Sequence, residues 1–322
     1  MTGTKFRAGY VALIGLPNVG KSTLLNRLVG QYVSIVAPRP QTTRHRVLGI
    51  LNGDGFQLLL LDTPGLLKPA YKLQELMEKE IERAFEDADV VLLLLDATNP
   101  ELEHEVWRNP QLAQLVPVAA VGDLTTSAEP ANESGALRGS RPSVVVAFNK
   151  VDKADKAGLL ALAARLKARG LGNVFMVSAL RGDGIEELKQ ALVAALPEGE
   201  PFYPPDMVSE RPERFFVAEF IRESIFNRYG AEVPYATTVV VDEFTERPGR
   251  KDYIRATIYV ERDTQKAIVI GRDGAALRQV GSSARRRIEQ FLGRAVYLEL
   301  WVKVAEAWRR NETFIRRNIY PR

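Results

Sequence analysis

The stretch YVALIGLPNVGKST, Tyr10 to Thr23, decides the fold. Tyr10 to Ile14 is an apolar run of buried-strand type, and Lys21 to Val29 repeats apolar residues at helical spacing. Between them GLPNVGKS, Gly15 to Ser22, matches G-x-x-x-x-G-K-[ST] in the strand-to-helix context that this pattern needs. The glycines let the backbone wrap until several N–H groups point at phosphate oxygens, and the helix N-terminus adds positive potential. Lys21 then reaches the β and γ phosphates and the Ser22 hydroxyl takes a place on Mg²⁺. Gly15, Gly20, Lys21, Ser22 and the adjoining Thr23 are therefore the expected phosphate-binding residues.

Strand and helix keep alternating downstream. Arg46 to Leu51 and Gln57 to Leu61 read as strands around an Asn52-Gly-Asp-Gly55 turn, and Leu73 to Asp87 as a helix. Val90 to Leu95, Val144 to Phe148 and Val174 to Val177 read as buried strands, with helices at 156–169 and 184–196. This order predicts an α/β domain with a mostly parallel sheet, covered on both faces, and one antiparallel hairpin near its edge. Parallel strands end on one side of a sheet, where such folds take ligands. Three further motifs fall at strand ends. In Asp62-Thr-Pro-Gly65 the carboxylate can hold Mg²⁺ through water and the Gly65 N–H can report on a γ-phosphate. In Asn149-Lys150-Val-Asp152 the Asp152 carboxylate matches the N1–H and N2 amine of guanine; adenine, lacking an N1–H, would leave it unpaired. Ser178-Ala179-Leu180 is expected to offer backbone N–H groups to the guanine O6.

At 322 residues the chain has room for about two domains. The absence of cysteine removes disulfides, thiolate metal sites and cysteine nucleophiles, and two distant histidines, His45 and His104, argue against a zinc site or a Ser-His-Asp triad. The longest strongly apolar run, Val90 to Leu95, is far short of the roughly 20 residues that span a bilayer. With no signal-peptide pattern at the N-terminus, a cytoplasmic location is expected. The proline-rich stretch Pro197 to Pro205 reads as a linker, dividing residues 1–200 from 201–322. Residues 108–142, polar from Asp123 onward, read as a surface insertion.

Residues 1–200 carry 22 basic and 23 acidic side chains, whereas 201–322 carry 22 and 17. The excess collects over residues 270–322, where 12 basic face 5 acidic groups, the pattern expected of a polyanion partner. This second half reads as helix 213–228, strands 236–244 and 253–261, helices 264–269 and 274–291, strand 295–303 and a basic tail. Gly271-Arg-Asp-Gly274 falls between the last two helices. About two GxxG matches arise by chance among 24 glycines, so only this context gives the tetrapeptide meaning.

GLPNVGKS, QTTRHR (Gln41 to Arg46), DTPG, NKVD and SAL in that order, then ERDTQKAIVIG and VYLELWVKV, resemble the Era family of GTPases over nearly the whole chain except the insertion. The resemblance implies a P-loop GTPase domain followed by a smaller α+β KH domain of type II. It implies GTP and GDP with Mg²⁺ as ligands and hydrolysis of GTP to GDP and phosphate. A threonine of Gln41-Thr-Thr-Arg44 would belong to a mobile switch and bind Mg²⁺, Thr43 or, in the alternative register, Thr42. The implied metal set is Ser22, Thr43 and Asp62; the implied catalytic set is Lys21, Thr43, Gly65 and Asn18. Many GTPases order the attacking water with a glutamine after the DxxG glycine, but here that residue is Leu66. Asn18 matches the asparagine with which related GTPases hold a potassium ion against the phosphates.

A KH domain uses its GxxG turn to let single-stranded RNA approach the backbone. The implied RNA-binding residues are Gly271, Arg272, Gly274, Arg278 and Arg285; Arg285 to Arg287 cannot all face one way on a helix. Asp273 departs from a purely basic turn. The implied partner is small-subunit ribosomal RNA, single-stranded and near its 3′ end, in 30S assembly, with the protein acting as a monomer. The rival reading is a peripheral membrane or cell-cycle signalling GTPase whose basic tail meets anionic lipid.

Overall fold

A computed structural model describes residues 5–102, 142–168 and 174–320. His104 and, apart from Pro142, the insertion expected at 108–142 lie outside the described residues. Strands β1 (Arg7–Ile14), β2 (Val47–Gly53), β3 (Phe56–Asp62), β4 (Val90–Asp96), β5 (Ser143–Asn149) and β6 (Val174–Met176) form one sheet, ordered β2-β3-β1-β4-β5-β6. Only β2 and β3 pair antiparallel, so the hairpin sits at the sheet's edge.

The two-residue period of a strand divides the core in two. Val11 and Leu13 of β1 pack with Leu24 and Leu25 of α1 (Lys21–Val29) and Leu188 and Leu192 of α4 (Ile185–Ala195). Ala12 and Ile14 pack on the other face, with Ala84 of α2 (Lys72–Asp87) and Leu159 and Leu162 of α3 (Lys156–Ala168). A strand buried on both faces needs no polar side, which is why Val90 to Leu95 reads as a continuous apolar run.

The second sheet, β7 (Thr238–Thr245), β8 (Asp252–Val260) and β9 (Val296–Val304), joins β7 to β8 antiparallel and β8 to β9 parallel. Helices α5 (Glu213–Arg228), α6 (Asp263–Ile270) and α7 (Ala275–Leu292) accompany it, with Val280, Ala284 and Ile288 of α7 in one cluster with Ile254, Ala256 and Ile258 of β8. The order helix, strand, strand, helix, helix, strand is the one read from the sequence.

Two segments differ from that reading. The proline-rich connection is laid along β2: Ile50 N–H donates to the Val208 carbonyl at 2.8 Å and Ser209 Oγ to the Leu48 carbonyl at 2.6 Å. The fully buried Gln57 clamps it, its Oε1 accepting from the N–H groups of Phe202 and Tyr203. This covers an edge strand whose hydrogen-bonding groups would otherwise stay open. The stretch read as a basic tail is instead a 3₁₀ turn (Trp308–Arg310) and a helix, α8 (Glu312–Asn318), capped by the Asn311 side chain, which accepts from Phe314 N–H. Trp308, Ile315 and Ile319 bury themselves against Leu73, Leu76 and Met77 of α2. Docking onto the first domain supplies the burial that so short a helix lacks alone.

Candidate functional site

The carboxyl ends of β1, β3 and β5 and the loop after β6 meet in a cleft of about 550 Å³. Asn18, Gly20, Lys21, Ser22, Thr23, Thr43, Gly65, Asn149, Lys150, Asp152, Ser178 and Ala179 all line it. Gly15 lies just behind, its carbonyl accepting from Lys21 Nζ at 2.9 Å and from Leu66 N–H at 3.1 Å.

Its side chains are tied to one another. Asp62, fully buried, accepts at Oδ2 from Ser22 Oγ (2.6 Å), Ser34 Oγ (2.7 Å) and Thr43 Oγ1 (3.3 Å). Its Oδ1 is equally buried and, among the described residues, has no partner. Burial pushes the Asp62 carboxyl up, while the Ser22 and Ser34 hydroxyls and Lys21 hold it down. Hydroxyl oxygens gathered on one oxygen of a buried carboxylate whose other oxygen is left unsatisfied suit a hard divalent cation such as Mg²⁺. Thr42 turns away, its Oγ1 donating to the Arg39 carbonyl at 2.7 Å, so of the two switch threonines only Thr43 reaches this cluster. Burial pushes the Lys21 ammonium down to about 8, with Asp62 pulling it back up.

At the other end of the cleft Asn149 is committed on both sides. Its Nδ2 donates to the Val19 carbonyl (2.7 Å) and its Oδ1 accepts from Ala179 N–H (2.9 Å), bracing the phosphate loop against the 178–180 loop. That brace explains Gly20: at φ 100° a β-carbon there would stand 2.3 Å from Asn149 Nδ2. Asp152 Oδ1 accepts from Ser178 Oγ at 2.7 Å, which holds the carboxyl below its usual range. Lys150 Nζ pairs with Asp96. Leu66 is buried with the core, so its side chain offers nothing to the cleft.

Sequence reasoning missed several supports. Asn26 Oδ1 accepts from the N–H groups of Val33 and Ser34 at 2.8 and 2.9 Å, fixing the start of the switch segment. Arg27 Nε donates to the Ala179 carbonyl at 3.1 Å. On both sides of Thr43 the same segment is gripped by the second domain: Arg44 Nη1 donates to the Thr237 carbonyl at 2.8 Å, Arg222 Nη2 to the Thr42 carbonyl, and Arg39 Nε to the Phe226 carbonyl at 3.1 Å. Tyr32 donates to Glu223 of α5. Apart from Asn26, whose partners follow closely in the chain, none carries a local signal, because the partners lie far apart in sequence.

The Gly271–Gly274 turn is built differently. Gly271, Asp273 and Gly274 have φ of 71°, 50° and 72°, and Arg272 and Asp273 are exposed. A β-carbon on Gly271 would meet that of Ala276 at 2.6 Å, so the turn needs glycine to start α7 so close behind α6. Ile268, 48% exposed, offers an apolar surface just before it. Arg278 is exposed nearby; Arg285, also exposed, lies about 16 Å along α7 from Gly274, 4.0 Å from Glu289. Arg287 faces the first domain, over the Tyr32 ring and 3.6 Å from Glu223. Arg294 and Arg309 are likewise held in ion pairs, with Glu213, Asp252 and Glu261. Much of the terminal positive charge is thus already paired.

Comparison with known proteins joins the two halves. Residues 10–120 match the family model described as a 50S ribosome-binding GTPase, and 232–309 match the KH domain. The curated GTPase Era of Thermotoga maritima is 39% identical over 315 residues, covering 97% of each chain. The chain belongs to the Era family of GTPases. It hydrolyses GTP and binds GTP and GDP. Two solved Era structures match with a TM-score of 0.85 and 35% identity, each covering 98% of this chain and 100% of the other. One is a point variant of Aquifex aeolicus Era bound to GDP and AlF₄⁻; the other is Era with MgGDPNP and nucleotides 1506–1542 of 16S ribosomal RNA. Among the described residues no helix is long and apolar enough to cross a membrane.

Proposed function

We propose that this chain is a cytoplasmic, monomeric GTP-driven switch that binds small-subunit ribosomal RNA through residues 201–322 and assists 30S assembly. The observation that carries this reading is the double grip on residues 32–46. On one side Thr43 reaches Ser22 and Asp62; on the other Arg222 and the 234–237 carbonyls hold Thr42 and Arg44. A change at the γ-phosphate therefore pulls on the second domain. The likeness to an Era bound to 16S ribosomal RNA supports the RNA partner.

In this reading Gly15, Gly20, Lys21, Ser22 and Thr23 hold the phosphates, and Asn149, Lys150, Asp152, Ser178 and Ala179 form the guanine end. Ser22, Thr43 and Asp62 hold Mg²⁺, which supplies positive charge against the phosphates when bound with nucleotide. Hydrolysis breaks the bond between the γ-phosphorus and the β–γ bridging oxygen as water attacks. Lys21 and the Gly65 N–H stabilise the charge that develops there. Leu66 lends no amide, so Asn18, exposed in the phosphate loop, is assigned a potassium ion, and potassium raises the rate over sodium. Gly271, Arg272, Gly274, Arg278 and Arg285 meet the RNA. The folded terminus does not favour the lipid reading, because Ile315 of α8 and Ile319 just after it are buried against α2.

Crosslinking in cells followed by sequencing of bound RNA tests this. Reads concentrated near the 3′ end of small-subunit RNA support it; reads spread over all cellular RNA overturn it.

A further inference from the structure

Between the two domains lies a cleft of about 740 Å³, separate from both sites above. It is lined by α2, residues 44–46, the end of the linker, α5, β7 and α8. Its lining carries nine lysine and arginine side chains and two carboxylates, Glu80 and Glu219. Both carboxylates are already engaged, with Arg83 and Arg222. Arg44 and Arg222 are buried at 3% and 2% exposure; Lys79, Arg83, Arg214, Arg316 and Arg317 are exposed around them. Among the described residues Lys79, Arg214 and Arg317 have no carboxylate partner. Two buried donors here are also unsatisfied: among the described residues Arg222 Nη1 and Arg211 Nε have no hydrogen-bond partner.

A buried donor without a partner is costly, and so is crowding like charges in a partly desolvated space. Burial and the neighbouring Arg222 both push the Arg44 guanidinium down. His45, pushed down to about 3 by burial, adds no charge. What would satisfy the donors and neutralise the crowding together is a multiply charged oxyanion, for which guanidinium groups are well matched.

We propose that this interdomain cleft binds phosphate oxyanions, carried on a free polyphosphate or on the backbone of a bound RNA. The site is linked to the switch: Arg44 and His45 directly follow Thr43, and the Arg222 guanidinium whose Nη1 is open holds the Thr42 carbonyl through Nη2. An anion drawn to Arg222 therefore acts on the segment that reaches Ser22 and Asp62. The proposal goes beyond the RNA reading and does not depend on it, because a small anion tests the cleft alone.

The test uses the full chain loaded with GDP, inorganic tripolyphosphate as probe with Mg²⁺ in molar excess over it, and titration calorimetry. The variant is Arg214→Glu with Arg317→Glu, both exposed; the control is Arg250→Glu with Lys251→Glu, an equal charge change at the β7–β8 turn. Unchanged GTP turnover and melting temperature certify both proteins. A free polyphosphate as ligand gives one equivalent bound, at least tenfold weaker in the cleft variant and less than twofold weaker in the control. RNA backbone as ligand gives no probe binding, but single-stranded small-subunit RNA binds at least fivefold weaker to the cleft variant than to the control. If the two variants behave alike toward both ligands, the cleft is no anion site and the proposal fails.

Discussion

The cleft and the Gly271–Gly274 turn, which the proposed function assigns to nucleotide and to RNA, are made in opposite ways. In the cleft, Asp62, Asn149 and Asp152 are each hydrogen-bonded to the neighbours that orient them, and Asp62 and Asn149 are almost wholly buried. At the turn, Arg272, Asp273 and Arg278 stand exposed. A site whose donors and acceptors are set beforehand discriminates by leaving the wrong ligand's partners unpaired. An exposed basic turn attracts phosphate at longer range, and its affinity follows ionic strength. Selectivity therefore belongs to the first region and salt sensitivity to the second.

The largest effect expected from this contrast is at Asp152. Asp152→Asn should weaken GTP about 1000-fold and gain affinity for xanthosine triphosphate, whose O2 accepts from the new amide. Competition titration measures both; a variant that still prefers GTP would remove the discriminating role from the cleft. Next comes Gly20→Ala, which forces a β-carbon onto Asn149 Nδ2 at a left-handed φ. It should cost about 3 kcal/mol in stability, read by denaturant unfolding, and weaken nucleotide accordingly.

Such predictions depend on ties that only the fold reveals. The helices at 21–29 and 213–228 are legible to the residue, because Gly20 and Gly30 bracket the first and Pro212 precedes the second. The motifs of the cleft are legible too, since each is a short run at a strand end. Helix α8 is not. Glu312 to Asn318 is mostly polar, and Ile315 finds its partners on α2, more than 200 residues earlier. The same holds for Ser34 on Asp62, Asn149 on Val19 and Arg222 on Thr42, which tertiary proximity makes without a sequence pattern. Net charge over residues 270–322 misleads for a related reason: Arg294 and Arg309 are spent on carboxylates that the fold brings to them.

At the turn, Arg272→Asp should lower affinity for single-stranded small-subunit RNA about 20-fold at low salt and reduce the salt slope by roughly one unit, while GTP binding stays within twofold. Filter binding across a salt series reads this, and a salt-independent loss would point to a damaged fold. The smallest effect is Gly274→Ala. Its β-carbon would find only Arg278 Nη1, at 3.4 Å, so the cost is the left-handed φ of 72° alone, about 1 kcal/mol. Thermal unfolding of this variant beside Gly20→Ala sets the two regions directly against each other.

The central claim is that residues 32–46, held by the nucleotide site on one side and by α5 and residues 234–237 on the other, couple the two regions. The most direct measurement is the affinity for single-stranded small-subunit RNA with the protein saturated first with GDP and then with a non-hydrolysable GTP analogue, both with Mg²⁺. The account predicts at least a tenfold difference, with RNA shifting the ratio of analogue to GDP affinity by the same factor, as linkage requires. Equal RNA affinity in the two nucleotide states would contradict it.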